Sequence, residues 1–143
     1  MIIRTARLED VAPVTGLLSE LSCTADEPEI RDRLTRLLDL PTERVFVATV
    51  ADEVVGMIGA HFAPLLHRDS LVRITSFIVT ESYRERGIGK RLLREVEAWA
   101  LSNGCTQIEV TSGDHHGTAH GFYEHHGYRL DDRRFVKESF DET

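Results

Sequence analysis

A chain of 143 residues with 41% hydrophobic and 29% charged side chains has the length of one ordinary domain and enough apolar matter for a core. Its formal charge of -7 excludes general nucleic-acid binding, since phosphate neutralisation needs an excess of basic side chains. Two distant cysteines, Cys23 and Cys105, read as reduced thiols, and with neither a leader pattern nor a membrane-length apolar run the expectation is a cytoplasmic chain without a membrane partner.

The elements follow in chain order. A short strand is expected over 2–6. From residue 8, Val11, Val14, Leu17, Leu18 and Leu21 recur at helical spacing, with Asp10 as a cap and Pro13 tolerable in the first turn. A second helix from about residue 26 aligns Ile30, Leu34, Leu37 and Leu38, and ends near Pro41. The period then changes to two. Residues 45–50 read as a strand, 51–53 as a turn and 54–62 as the returning strand of a hairpin. The stretch 71–80, LVRITSFIVT, is apolar and β-branched enough to lie centrally in a sheet.

Beyond Gly87, the residues Ile88, Leu92, Leu93, Val96, Trp99 and Ala100 trace an amphipathic helix that stops at Asn103 and Gly104. A strand over 107–111, a helix over 116–126 closed by Gly127, and two short strands at 128–130 and 134–137 complete the pattern. The class is mixed α/β (α+β), a single domain over 1–143 with helices packed on one mixed sheet. Its parallel part is the crossover from 71–80 through the Gly87 helix to 107–111.

The stretch YRERGIGKR, from Tyr83 to Arg91, sets two glycines among basic side chains just ahead of a helix. Glycines there remove Cβ obstruction, so that amides at the helix start can point at an anion and the helix dipole adds partial positive charge. A nucleotide P-loop would need Gly where Arg84 stands and Ser or Thr where Arg91 stands. A dinucleotide fingerprint would need Gly in place of Leu92. Neither pattern fits.

What remains, Arg84-x-x-Gly87-x-Gly89 after an apolar strand and opening a helix, resembles the acetyl-CoA signature of the GCN5-related N-acetyltransferases (GNAT). Ala119-x-x-Phe122-Tyr123-x-x-x-Gly127-Tyr128 resembles that family's late helix ending. An initial strand followed by two helices also agrees, so the resemblance covers essentially the whole chain. It implies a twisted mixed sheet of about six to seven strands flanked by about four helices, splayed between the strand at 71–80 and the strand at 107–112. It further implies an N-acetyltransferase that uses acetyl-CoA as co-substrate and no metal, in which a primary amine of a small molecule or peptide attacks the thioester directly.

By that resemblance the main chain of Phe77, Ile78 and Val79 bonds the pantetheine, and a backbone N–H near Phe77 polarises the thioester carbonyl. Arg84, Arg86, Gly87, Ile88, Gly89 and Lys90 hold the diphosphate. Tyr123 donates a proton to the departing thiolate, Phe122 glues the last helix to the sheet, and a homodimer is an option the family allows. This sequence departs from the family at two places. His116 stands where many members have a cofactor-bonding Asn, and Arg73 stands where some have a Glu base. Glu109, Asp114, His115 and His116 become the substitute bases to consider. A CoA-binding sensor without turnover is the alternative those departures leave open.

The histidines His115, His116, His120, His125 and His126 cluster in sequence without a HExxH pattern, so the reading is no metal. His61 and His67 flank Pro64 at the end of the hairpin strand, near where the resemblance puts the acceptor pocket, and read as exposed.

Overall fold

Val45 and Val47 alternate with Phe46 and Ala48, which sorts the middle of the sheet into two apolar faces. The computed structural model describes residues 1–110, 117–130 and 137–138 and shows what covers each face. Among the described residues a five-stranded sheet runs in the order β1 (Ile2–Thr5), β2 (Glu43–Val50), β3 (Glu53–Ala63), β4 (Leu71–Val79), β5 (Ile108–Val110). Each of the first four is antiparallel to its neighbour; β5 joins β4 in parallel. The connection between those two is helix α3 (Ile88–Ser102), as a parallel pair requires.

Helices α1 (Val11–Glu20) and α2 (Glu27–Leu38) cover one face. Val11, Val14, Leu17, Ile30 and Leu34 bury against Val45, Val47, Met57 and Ile78. Helix α3 packs against β2, β3 and β4 and buries Leu92, Leu93 and Val96 completely. Arg44, which alternates with Val45, lies over the Trp99 ring of α3 at 5.2 Å. Each helix thus spends its apolar stripe on one sheet face. The chain forms two compact units, Met1–Thr111 with β1–β5 and α1–α3, and Ser112–Thr143 with α4 (Gly117–His125).

The mixed sheet and the four helices agree with the sequence reading. Helix α3 ends where Asn103 and Gly104 predict, with Cys105 N–H bonding Ala100 O at 2.9 Å and Gly104 N–H bonding Leu101 O at 3.0 Å. Helix α4 ends the same way at Gly127, where Tyr128 N–H bonds Tyr123 O at 2.9 Å. That bond corrects one expected strand. Residues 128–130 are irregular, because the Tyr128 donor folds back onto the helix instead of entering a ladder. Residues 134–136 lie outside the described residues. The described sheet therefore has five strands, fewer than expected. No helix among the described residues is long and apolar enough to cross a membrane.

Asp10 does not cap α1. A 3-10 turn over Leu8–Asp10 precedes that helix, and the buried Asp10 carboxylate accepts the Arg4 guanidinium in two bonds of 2.8 and 2.9 Å. It also accepts Arg7 N–H at 2.8 Å, which ties β1 to the start of α1. The Arg4 bond, helped by Arg7 N–H and opposed by burial, holds the Asp10 carboxyl below the usual carboxylate range. A lowered folded-state pKa gives stability that is present above the unfolded value and is lost as pH falls through the folded one. Asp10→Asn should therefore cost about 1.5–3 kcal/mol near neutral pH. Denaturant melts of the two proteins should converge as the pH drops below the ordinary carboxylate range, and a pH-independent gap would refute the ion-pair account.

Candidate active site

Strand β4 carries one residue more than β3 can match. Gly59 lies opposite Ser76 and Ala60 opposite Ile74, so Thr75 is an extra residue, a β-bulge. In a regular strand neighbours point to opposite faces, yet Thr75 and Ser76 both line one cavity of about 250 Å³ under α1 and α2. Its walls are apolar, with Val14, Leu18, Ile30, Leu34, Val45 and Met57, and Arg33 and Glu43 add charge. Gly59 makes room for the bulge: a Cβ there would sit 2.7 Å from Ser76 Oγ and 3.1 Å from Thr75 Oγ1.

The described pairing of β4 with β5 is short. Their pairing covers Val72–Ile108, Arg73–Glu109 and Ile74–Val110, whereas β4 runs on to Val79 with Phe77 opposite Ile58 of β3. Ile78 turns into the core under α1 and α2. A 3-10 turn over Glu81–Tyr83 then leads into the glycine loop.

The loop reverses its backbone twice, with Glu85 at φ 63° and Gly87 at φ 80°. Gly87 is the N-cap of α3 and supplies no side-chain cap; the first helical bond is Arg91 N–H to Gly87 O at 3.2 Å. No described residue accepts from the amides of Ile88, Gly89 and Lys90. Three uncapped donors at a helix N-terminus, with the positive end of the dipole behind them, have the character of an anion cradle. The side chain of Arg84 turns the other way. Its Nε donates to Val79 O at 2.9 Å and a terminal nitrogen reaches Glu20 at 3.4 Å. Arg86 lies over the Tyr83 ring at 5.0 Å.

Glu20, at the end of α1, also accepts the Thr80 hydroxyl at 2.7 Å and Glu81 N–H at 3.3 Å. One carboxylate thereby fastens the helix over the cavity to the approach to the loop. Sequence reasoning passes over Glu20, because its partners are about sixty residues away and nothing local marks it.

Glu109 has a defined role. Its carboxylate pairs with Arg68 and, at 3.2 Å, with Arg73. Burial acts to raise its pKa, but the Arg68 and Arg73 hydrogen bonds outweigh it and hold the group low. A carboxylate occupied by two guanidiniums and held below its usual range is a weak proton acceptor.

In the second unit, Tyr123 sits half-buried on α4, edge-on to Phe122 at 5.7 Å and 5.8 Å from Tyr128. Burial pushes its phenol up to about 12, so it keeps its proton throughout the neutral range. Asp114, His115 and His116 lie outside the described residues. The His126 ring packs on Phe122 at 4.5 Å and on His125 at 5.1 Å. Among the described residues no three His, Cys, Asp or Glu side chains gather as metal ligands would.

Comparison with known proteins gives the family. A model of the acetyltransferase (GNAT) family matches residues 14–128. The chain belongs to the GNAT family. The aminoalkylphosphonate N-acetyltransferase of Salmonella typhimurium is 31% identical over 137 residues, covering 94% of this chain and 89% of that one. With the family, this relative makes the chain an N-acetyltransferase. Among solved structures, the aminoglycoside 6'-N-acetyltransferase AAC(6')-IG of Acinetobacter haemolyticus superposes with a TM-score of 0.86 at 16% identity, over 99% of this chain and 100% of that one. AAC(6')-Iy, solved in complex with CoA, gives 0.87 at 17% identity over 96% and 93%. At such identities the shared feature is the GNAT fold.

Gly87→Ala tests the cradle. No atom lies within 4 Å of the added Cβ, so the substitution acts only through backbone strain at φ 80°. Left-handed backbone costs a non-glycine residue about 1–2 kcal/mol, which is relieved by turning the adjacent amides away. The KM for acetyl-CoA should rise about ten-fold while the acceptor KM stays put. An unchanged acetyl-CoA KM would separate the loop from cofactor binding.

Proposed function

We propose that this N-acetyltransferase transfers acetyl from acetyl-CoA to the primary amine of a small molecule, acting as a single domain. The observation that carries the acceptor size is the cavity of about 250 Å³ enclosed by α1, α2 and the bulged strand. A space of that size with apolar walls suits a short aminoalkyl compound. The Salmonella relative, named for aminoalkylphosphonates, supports the same class, and makes a short aminoalkylphosphonate the first acceptor to try.

In this reading the amides of Ile88, Gly89 and Lys90 hold the diphosphate, with Arg84 contributing main chain and structural support and Arg86 adding charge. The main chain of β4 from Phe77 to Val79 takes the pantetheine as an added strand. A backbone N–H near Phe77 steadies the oxyanion as the amine adds to the thioester carbonyl. Tyr123, protonated at working pH, hydrogen-bonds the departing sulfur and supplies its proton. The support for Tyr123 is the motif around it; burial keeps its phenol protonated. Glu109 serves as an ion-pair partner for Arg68 and Arg73, not as the base.

The test is steady-state acetyl transfer across a panel of short aminoalkylphosphonates, amino acids, polyamines and peptide N-termini. Small amines should be preferred over peptides. Tyr123→Phe should lower kcat about 100-fold, the lower end of the acid–base range, and leave the acetyl-CoA KM within a factor of two or so. Peptides as the best acceptors, or a Tyr123→Phe protein with full turnover, would overturn the corresponding part of the reading.

A further inference from the structure

One lateral row of residues crosses the sheet on the face that bears α1, α2 and the cavity. Glu43 of β2 stands opposite His61 of β3, His61 opposite Arg73 of β4, and Arg73 opposite Glu109 of β5. At one end of the row His61 Nδ1 bonds the Glu43 carboxylate, and Glu43 also accepts the Thr42 hydroxyl at 2.8 Å. At the other end, Arg73 and Arg68 are both paired with Glu109. The sequence reading of His61 as simply exposed misses this pairing, because its carboxylate lies eighteen positions away on the neighbouring strand.

The chemistry of the pair is directional. A carboxylate against Nδ1 requires an N–H there, which leaves Nε2 with the lone pair in the neutral ring. Glu43 is largely buried, lines the cavity and holds the ring's orientation, whereas the His61 side chain is 39% exposed and so open to an incoming group or water. His61 lies two residues beyond Gly59 along β3, hence about 7 Å from the bulge row that carries Thr75 and Ser76. That separation suits a proton relay through one water.

The charged groups facing this imidazole are Glu43 from β2, Arg73 from β4, Glu109 from β5 and Arg68 from the β3–β4 connection, with Arg33 of α2 on the cavity wall. Because Glu109 takes both arginines, their charge does not act unopposed on His61. The row itself sets Glu43, Arg73 and Glu109 in line with the ring, and Arg68 joins it through Glu109.

We propose that His61, oriented by Glu43, is the proton acceptor that converts the acceptor ammonium to the attacking amine. The proposal rests on the small-amine transferase reading above. An ammonium has no lone pair, so it must lose a proton before a C–N bond can form. His61 Nε2 takes that first proton, directly or through one water, and returns it to solvent. The neutral nitrogen bonds the thioester carbon, the C–S bond breaks, and the second nitrogen proton is balanced by the one delivered to sulfur. The products are the amide, CoA thiol and one released proton. Glu43 is a positioning residue, since it acts only through the ring.

The experiment compares wild type, His61→Gln, His61→Ala and Glu43→Gln with the best amine of the panel. Replacing the imidazole should lower kcat about 100-fold, with acetyl-CoA binding by titration unchanged, and Glu43→Gln should lower kcat by less. Added imidazole should restore part of the His61→Ala rate, which a packing role for His61 would not produce. Full turnover by His61→Gln, or a loss that imidazole leaves untouched, overturns the dyad while the wild-type acetyl transfer keeps the transferase reading intact.

Discussion

A single surplus residue in β4 shapes the site. With Thr75 inserted opposite no partner, two hydroxyl side chains in succession face the cavity that α1 and α2 enclose, and the strand beyond is re-aimed. Such a bulge needs space on the adjacent strand, and only the missing side chain of Gly59 provides it at the observed distances. Before the bulge β4 is an interior strand with β5 alongside; after it, the strand runs on to Val79 and into the turn before the glycine loop. One strand therefore serves as core, cavity wall and approach to the glycine loop.

The two helical layers have different duties because they bury different faces. Helix α3 is fixed by Leu92, Leu93 and Val96, which are fully withdrawn from water, so its N-terminus is held rigidly where the loop delivers it. An uncapped N-terminus is an open valence in an otherwise satisfied backbone, and a phosphate is the natural complement. Helices α1 and α2 face the other way and enclose the cavity. Their tie to the loop is Glu20, which collects the Thr80 hydroxyl, Glu81 N–H and Arg84. The Arg84 guanidinium is held by Val79 O and by this carboxylate.

Charge on the sheet is arranged by the same lateral logic. Glu43, His61, Arg73 and Glu109 come from four strands yet form one line, because antiparallel and parallel register bring them opposite each other. Glu109 is thereby committed to two arginines and His61 to one carboxylate. Arg73 is paired by Glu109 on the adjacent strand.

Local pattern made much of this legible. Periodicity gave the helices and the hairpin strands, Asn103–Gly104 and Gly127 gave two helix ends, and the two GNAT motifs gave the family. Each of these signals lies within a few residues of its effect. The sheet's strand count was overestimated at 128–130, where a chain reversal after Gly127 spent the donor that a strand would need. Asp10 looked like a cap and proved to be a buried ion-pair partner, because Arg4 offers a stronger, charged donor than the helix amides. The sequence by itself determined which segments form and what class of chemistry they bring, since those depend on short-range spacing. Only the tertiary structure decided that Thr75 is surplus, that Gly59 yields to it, and that Glu43 meets His61. Register between strands is set by packing across the whole sheet, and no single segment encodes it.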